Sequence, residues 1–210
     1  MRREIPRRDD SRSIFSGADY ISGDKGRGRV VNAEYSGAQK LLHWSIALLV
    51  IGGTALGVLI GWFGFQGLVD GFGQTTTNFI YKYHKTAGVL ILGLMVVRLI
   101  VRLIRGSPPY AEPLRPIEAR LSALTHRGFY VLLFLMPVLG WLATGAGGYP
   151  VEFFNWKLPP LIGKDKELSE LLYTLHGAVG WTLMALIVLH VAGALKHAIV
   201  DNDGVMRRML

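Results

Sequence analysis

Four stretches of the chain, about 41–61, 84–104, 128–147 and 171–195, are apolar for most of their length, and the polar residues gather between and outside them. Each is close to the ~20 residues that a helix needs to cross a bilayer. None alternates with a period of two, which leaves a membrane barrel without support. The pattern predicts an all-α fold, an integral membrane four-helix bundle occupying residues 37–210. Residues 1–36 are rich in Arg, Asp, Ser and Gly and read as a flexible basic extension. They lack the apolar core of a cleaved signal peptide, since the first apolar run begins near Leu41 and is a full span. The segment Gly106 to Pro116, carrying Pro108, Pro109 and Pro113, reads as a short turn on one side of the membrane. Gly145 to Ser169, with Phe153, Phe154, Trp156, Pro159 and Pro160, reads as an interfacial connection on the other. No internal repeat of useful length stands out, although each helical hairpin carries a histidine near its outer end.

Composition agrees with the pattern. Only 18% of the 210 residues are charged and 50% are hydrophobic, with a mean hydropathy of +0.33, whereas an ordinary soluble domain carries about 25% charge. The chain has no cysteine. That excludes disulfide scaffolds, thiolate-held iron–sulfur clusters, Cys-based zinc sites and a covalently attached c-type haem. The net charge of +8 could serve nucleic acid or an anionic surface, but its distribution follows the topology rule of positively charged cytoplasmic segments. Eighteen of the 23 Lys and Arg residues lie before the first span, between the second and third, or after the fourth. Lys82, Lys85, Lys157, Lys164 and Lys166 alone face the other side, where five acidic residues balance them. Both termini are therefore expected in the cytoplasm, and nucleic acid is not an expected partner.

The six histidines, His43, His84, His126, His176, His190 and His197, all sit in or beside the spans, where an ionisable residue is costly and by default functional. His43 opens the first span on the cytoplasmic side and His84 opens the second on the outer side. His176 lies at the outer end of the fourth span. His190 follows it by fourteen residues, about 21 Å along the axis and nearly four whole turns, so both project from one face. Two levels result, with His84 and His176 as an outer pair and His43 and His190 as an inner pair. Facing histidines across a bundle are what a non-covalent haem requires, one nitrogen on each side of the iron. Zinc would need more ligands at each level, and a proton relay would usually include Asp or Glu within the spans. Arg98, fourteen residues after His84, reaches the depth of the inner pair. It suits a haem propionate, the alternative being a side chain that snorkels with Arg102 and Arg105. Gly53, Gly57 and Gly61 form a small-residue ridge that reads first as helix packing. Pro137 is expected to kink the third span, and Trp44, Trp62, Trp141, Trp156 and Trp181 to serve as interfacial belt or packing.

These features together resemble the bacterial cytochrome b561 family, four-helix di-haem b cytochromes of the inner membrane. The resemblance runs from about Asn32 to Leu210. It rests on Leu42-His43-Trp44, on His84-Lys85, on Leu94-Met95-Val96-Val97-Arg98-Leu99, and on His126 through Phe129, Tyr130, Pro137 and Gly140. Most specific is the last span, with Leu175-His176, then Leu189-His190-Val191-Ala192-Gly193-Ala194-Leu195-Lys196-His197, Asp203-Gly204 and Arg207-Arg208. It implies that His43, His84, His176 and His190 ligate two haems b. It also implies electron transfer between ubiquinone and the outer surface of a multi-pass inner-membrane protein. One activity of the family is oxidation of superoxide to dioxygen, with ubiquinone as acceptor. Lys82 and Lys85 flank His84 and could steer that small anion, or could hold propionates or lipid phosphates instead. His126 and His197, both at the cytoplasmic level, are candidates for hydrogen bonding and proton donation to a quinone, the alternative being a propionate or interfacial contact. The leading expectation is a superoxide:ubiquinone oxidoreductase. The other is a haem-b membrane anchor that relays electrons between quinone and a separate dehydrogenase or cytochrome.

Overall fold

The computed structural model describes residues 34–109 and 114–210. The expected basic extension therefore lies outside the described residues except for its last three positions, and these are tied to the fold. Ser36 caps the first helix in a capping box with Gln39, Glu34 pairs with Lys40 at 2.7 Å, and the Tyr35 N–H donates to the Arg208 carbonyl.

Three long helices account for most of the protein: α1 (Gly37–Arg105), α2 (Pro116–Ala146) and α3 (Lys166–Leu195). All three are long and apolar enough to cross a membrane. Both the first and the second expected spans lie within α1, one on each side of a double break. A straight helix of 69 residues would extend about 100 Å. Instead α1 breaks at Gly64 (φ 64°, ψ 179°) and Gly73 (φ 79°, ψ 160°), backbone conformations that only glycine adopts without strain. Its first limb, ending at Gly64, folds back along its second limb, which begins at Gly73. Gly53 faces Ala87 and Ile91 across this junction, and the Gln39 amide donates to the Gly106 carbonyl at 2.9 Å.

The helices α2 and α3 form a second antiparallel pair joined by a two-stranded hairpin, β1 (Val151–Phe153) with β2 (Trp156–Leu158), in the register Val151 to Leu158 and Phe153 to Trp156. The helix α2 stays continuous through Pro137. Ile46 and Val50 from α1's first limb, Ile91 and Met95 from its second, Leu133 from α2 and Leu183 from α3 make the central core. Outside it, Leu48, Ile51, Ile104, Val131, Val188 and Ile199 are all more than half exposed. A soluble protein would bury such a continuous apolar exterior, whereas lipid covers it without cost.

The chain closes at the end opposite the hairpin. Beyond α3 a π-helical turn (Lys196–Asp201) and a 3₁₀ turn (Met206–Met209) return to α1. The Trp44 indole N–H donates to the Met209 carbonyl at 2.8 Å and the Arg208 guanidinium donates to the Pro108 carbonyl.

Candidate functional site

The backbones of α1 and α3 make little direct contact, and side chains meet between them. Near the hairpin end the second limb of α1 presents His84 and α3 presents His176, with ring centres 6.0 Å apart. At the far end the first limb of α1 presents His43 toward His190 of α3, with ring centres 6.1 Å apart. The structure thus brings together both pairs that depth alone suggested.

The geometry fits a metal between each pair. Two imidazoles bound in line through ~2 Å metal–nitrogen bonds hold their ring centres roughly 6 Å apart. At the hairpin end the orientation is also fixed. The Nδ1–H of His84 donates to the Gly53 carbonyl at 3.0 Å and that of His176 to the Met136 carbonyl at 3.0 Å. Each ring is left presenting Nε2, the arrangement that ligating histidines commonly show. Glycine makes room for it, since a Cβ on Gly57 would stand 3.0 Å from His84 Cε1 and one on Gly140 would stand 3.0 Å from His176 Cε1. The glycine ridge therefore does more than pack helices. Gly53, Gly57 and Gly61 line a cleft of about 240 Å³ with His84 and His176.

At the other level two residues join the pair. His126 of α2 stands 5.3 Å from His190, ring centre to ring centre, at 89°, and its Nδ1 lies 2.7 Å from the Ser122 carbonyl. Arg98 is close enough to act electrostatically on His43, His126 and His190. His197 belongs to a different set of contacts. Its Nδ1 sits 2.6 Å from an Asp203 oxygen and 3.3 Å from Asp201, and it lines a separate cleft of about 170 Å³ with Asn202, Gly204, Met206 and Arg207. A π-helical turn so close to such a side chain is a common mark of a functional position.

The two lysines beside His84 are both engaged by the loop after α2. Lys85 pairs with Glu152 at 2.5 Å and donates to the Pro150 carbonyl, while Lys82 donates to the Asn155 side chain at 3.0 Å. Glu152 thereby offsets the Lys85 charge, whereas Asn155 leaves that of Lys82 in place. Sequence reasoning passed over Asn155, saw Glu152 only as a balancing charge, and quoted Asp203 as part of the resemblance without assigning it a contact with His197. It also passed over Gly140 as a neighbour of His176, although Gly140 stands fourteen residues after His126 just as Gly57 does after His43.

The profile of prokaryotic cytochrome b561 matches residues 34–210. Cytochrome b561 homolog 2 of Escherichia coli (strain K12) is 30% identical over 172 residues, covering 80% of this chain and 86% of that protein. Cytochrome b561 homolog 1 of the same organism is 26% identical over 176 residues, 84% of this chain and 96% of its own length. A protein of Yersinia pestis named probable superoxide oxidase CybB is 25% identical over 181 residues, 86% of this chain and 97% of its own length. The chain belongs to the prokaryotic cytochrome b561 family, membrane proteins that bind haem b and transfer electrons.

Proposed function

We propose that the protein crosses the bacterial inner membrane four times with both termini in the cytoplasm, holds two haems b, and passes electrons from superoxide at the outer face to ubiquinone near the inner face. One observation carries this reading: α3 supplies a histidine to each of two facing pairs, and the two are fourteen residues apart, about 21 Å along the helix. His84 and His176 would hold the outer haem and His43 and His190 the inner one, with Arg98 as partner for a propionate. Haem b, when bound, supplies a one-electron carrier at each level. The name of the Yersinia relative favours superoxide as donor.

The stoichiometry sets what the residues must do. Two superoxide anions each give up one electron and leave as dioxygen. One ubiquinone takes up both electrons and two protons to become the quinol. At the outer face Lys82 carries the steering charge, with Lys85 contributing less because Glu152 compensates it. At the inner face His126 and His197 hydrogen-bond the quinone. The Nδ1–H of His197 donates to Asp203, which fixes the ring at the edge of the cleft it lines, so Asp203 is a positioning residue.

Stopped-flow absorbance of the oxidised holoprotein mixed with superoxide tests the reading. Fast reduction of the haem bands, reversed by added ubiquinone, is expected. Slow reduction by superoxide alongside fast reduction by quinol would instead identify a relay that serves a separate redox partner. For the quinone assignment, His197→Ala should keep both haems and slow reoxidation by ubiquinone at least 10-fold, and reoxidation at the parent rate would remove His197 from the site.

A further inference from the structure

The two helical pairs repeat each other's functional positions. In α1, His43 is followed at ten residues by Gly53 and at fourteen by Gly57. In α2, His126 is followed at ten by Met136 and at fourteen by Gly140. The partner helices use these positions identically. His84 bonds the Gly53 carbonyl and packs over Gly57, and His176 bonds the Met136 carbonyl and packs over Gly140, with the same 3.0 Å separations throughout. Fourteen residues further along those partner helices stand Arg98 and His190. By spacing and contacts, His43 thus corresponds to His126 and Arg98 to His190.

The repeat has a chemical consequence at the inner level. The outer pair is made of two equivalent residues, but the corresponding inner pair would be Arg98 and His190, and a guanidinium has no lone pair to offer a metal. His190 must take its partner from the other class of equivalent positions, and that class has two members. Both are in reach: His43 at 6.1 Å and 74°, His126 at 5.3 Å and 89°, ring-centre distances that differ by less than 1 Å. His126 also has the contact expected of a ligand, since its Nδ1 is against the Ser122 carbonyl, as those of His84 and His176 are against theirs. We propose that His126 is the duplicated counterpart of His43 and a second axial partner for His190, able to complete the inner haem site when His43 does not. The inference rests on the ligand assignment above. The outer level has no third histidine in reserve, because the sequence contains only six and the sixth, His197, bonds Asp203.

The test uses the full-length holoprotein purified in detergent, with haem counted by pyridine haemochrome and spin state read by electron paramagnetic resonance. Expected are two low-spin haems in the parent, in His43→Ala and in His126→Ala. The double variant His43→Ala/His126→Ala should lose low-spin character at one of them. If His43→Ala does not accumulate, the larger His43→Gln is read in the same way. An inner haem that is high-spin or missing after replacement of His43, with His126 intact, would overturn the inference. His84→Ala separates this from failure of the ligand assignment: it should cost one low-spin haem, and two low-spin haems remaining there would sink the assignment itself.

Discussion

Glycine decides how closely the histidine rings can lie against the neighbouring helix. At Gly57 and Gly140 an added Cβ would meet an imidazole carbon at 3.0 Å, so the ring or the helix must shift by a few tenths of an ångström. Gly57→Ala and Gly140→Ala should each cost about 1–3 kcal/mol of stability and alter the spectrum of the outer haem. Gly93→Ala, whose Cβ meets nothing within 4 Å and which lies outside the cleft lined by His84 and His176, should do neither. Thermal unfolding followed at the haem absorption band would separate them, and equal behaviour of all three would refute the steric account. These contacts were only half legible in the sequence. Depth along a helix follows from counting, so the levels of His43, His84, His176 and His190 could be read directly. Rotation about each helix axis follows from packing, and hence the contact of His126 with His190 and the seating of His176 on Gly140 required the fold.

At the scale of elements, the hairpin β1–β2 is fastened to α1 at one place. Thr86, 2% exposed, donates to the Glu152 carbonyl and accepts from the Phe154 N–H, while Lys82 and Lys85 bond Asn155 and Glu152. Phe154 sits at φ 54°, uncommon for a bulky side chain, in the two-residue turn, and its N–H is the one Thr86 receives. The sequence signalled an interfacial connection here through its aromatic residues, but not its strand pairing, because three-residue strands are too short for a periodic pattern. The compensation of Lys85 by Glu152 makes a prediction about steering. Glu152→Gln should raise the low-salt rate of haem reduction by superoxide about 2- to 5-fold and Lys82→Gln should lower it, with both differences shrinking as salt is added. Rates that ignore both substitutions in stopped-flow mixing would rule out lysine steering.

For the molecule as a whole, the end opposite the hairpin is closed by charge beyond the apolar stretches. Lys196 bonds Glu118 at 2.8 Å and Asp201 at 2.5 Å, linking the start of α2 to the turn after α3. Its ammonium holds both carboxyls below their usual range, and they in turn raise the Lys196 value. A lowered carboxyl stabilises the closed form above its ordinary range and stops doing so as pH falls through the lowered value. A raised lysine contributes until pH climbs past its own raised value. The tether should therefore hold at neutral pH and release only below the ordinary carboxyl range. Hydrogen exchange of residues 196–210 at pH 7 and in steps down to pH 2 would register that release as faster exchange at the acid end after correction for the intrinsic rate, and protection unchanged throughout would show that the tether is not electrostatic. The all-α architecture and its apolar exterior were plain from hydropathy. The form of the turn between the first two spans was not, because a connection that breaks at Gly64 and Gly73 yet stays helical between them has the composition of a loop.

The fourteen residues from His176 to His190 also bear on how this family can vary. One residue gained or lost between them would rotate one histidine by about 100° and move it by about 1.5 Å relative to the other, spoiling a site at one end whichever end stayed in place. A length change there would have to come as whole turns, and it would then alter the distance an electron travels. The connection from Gly147 to Asp165 has no such constraint beyond its anchors on Lys82, Lys85 and Thr86. Evolution is thus free to lengthen or recast the connection between α2 and α3, while the stretch of α3 that spaces the two histidines keeps a fixed count.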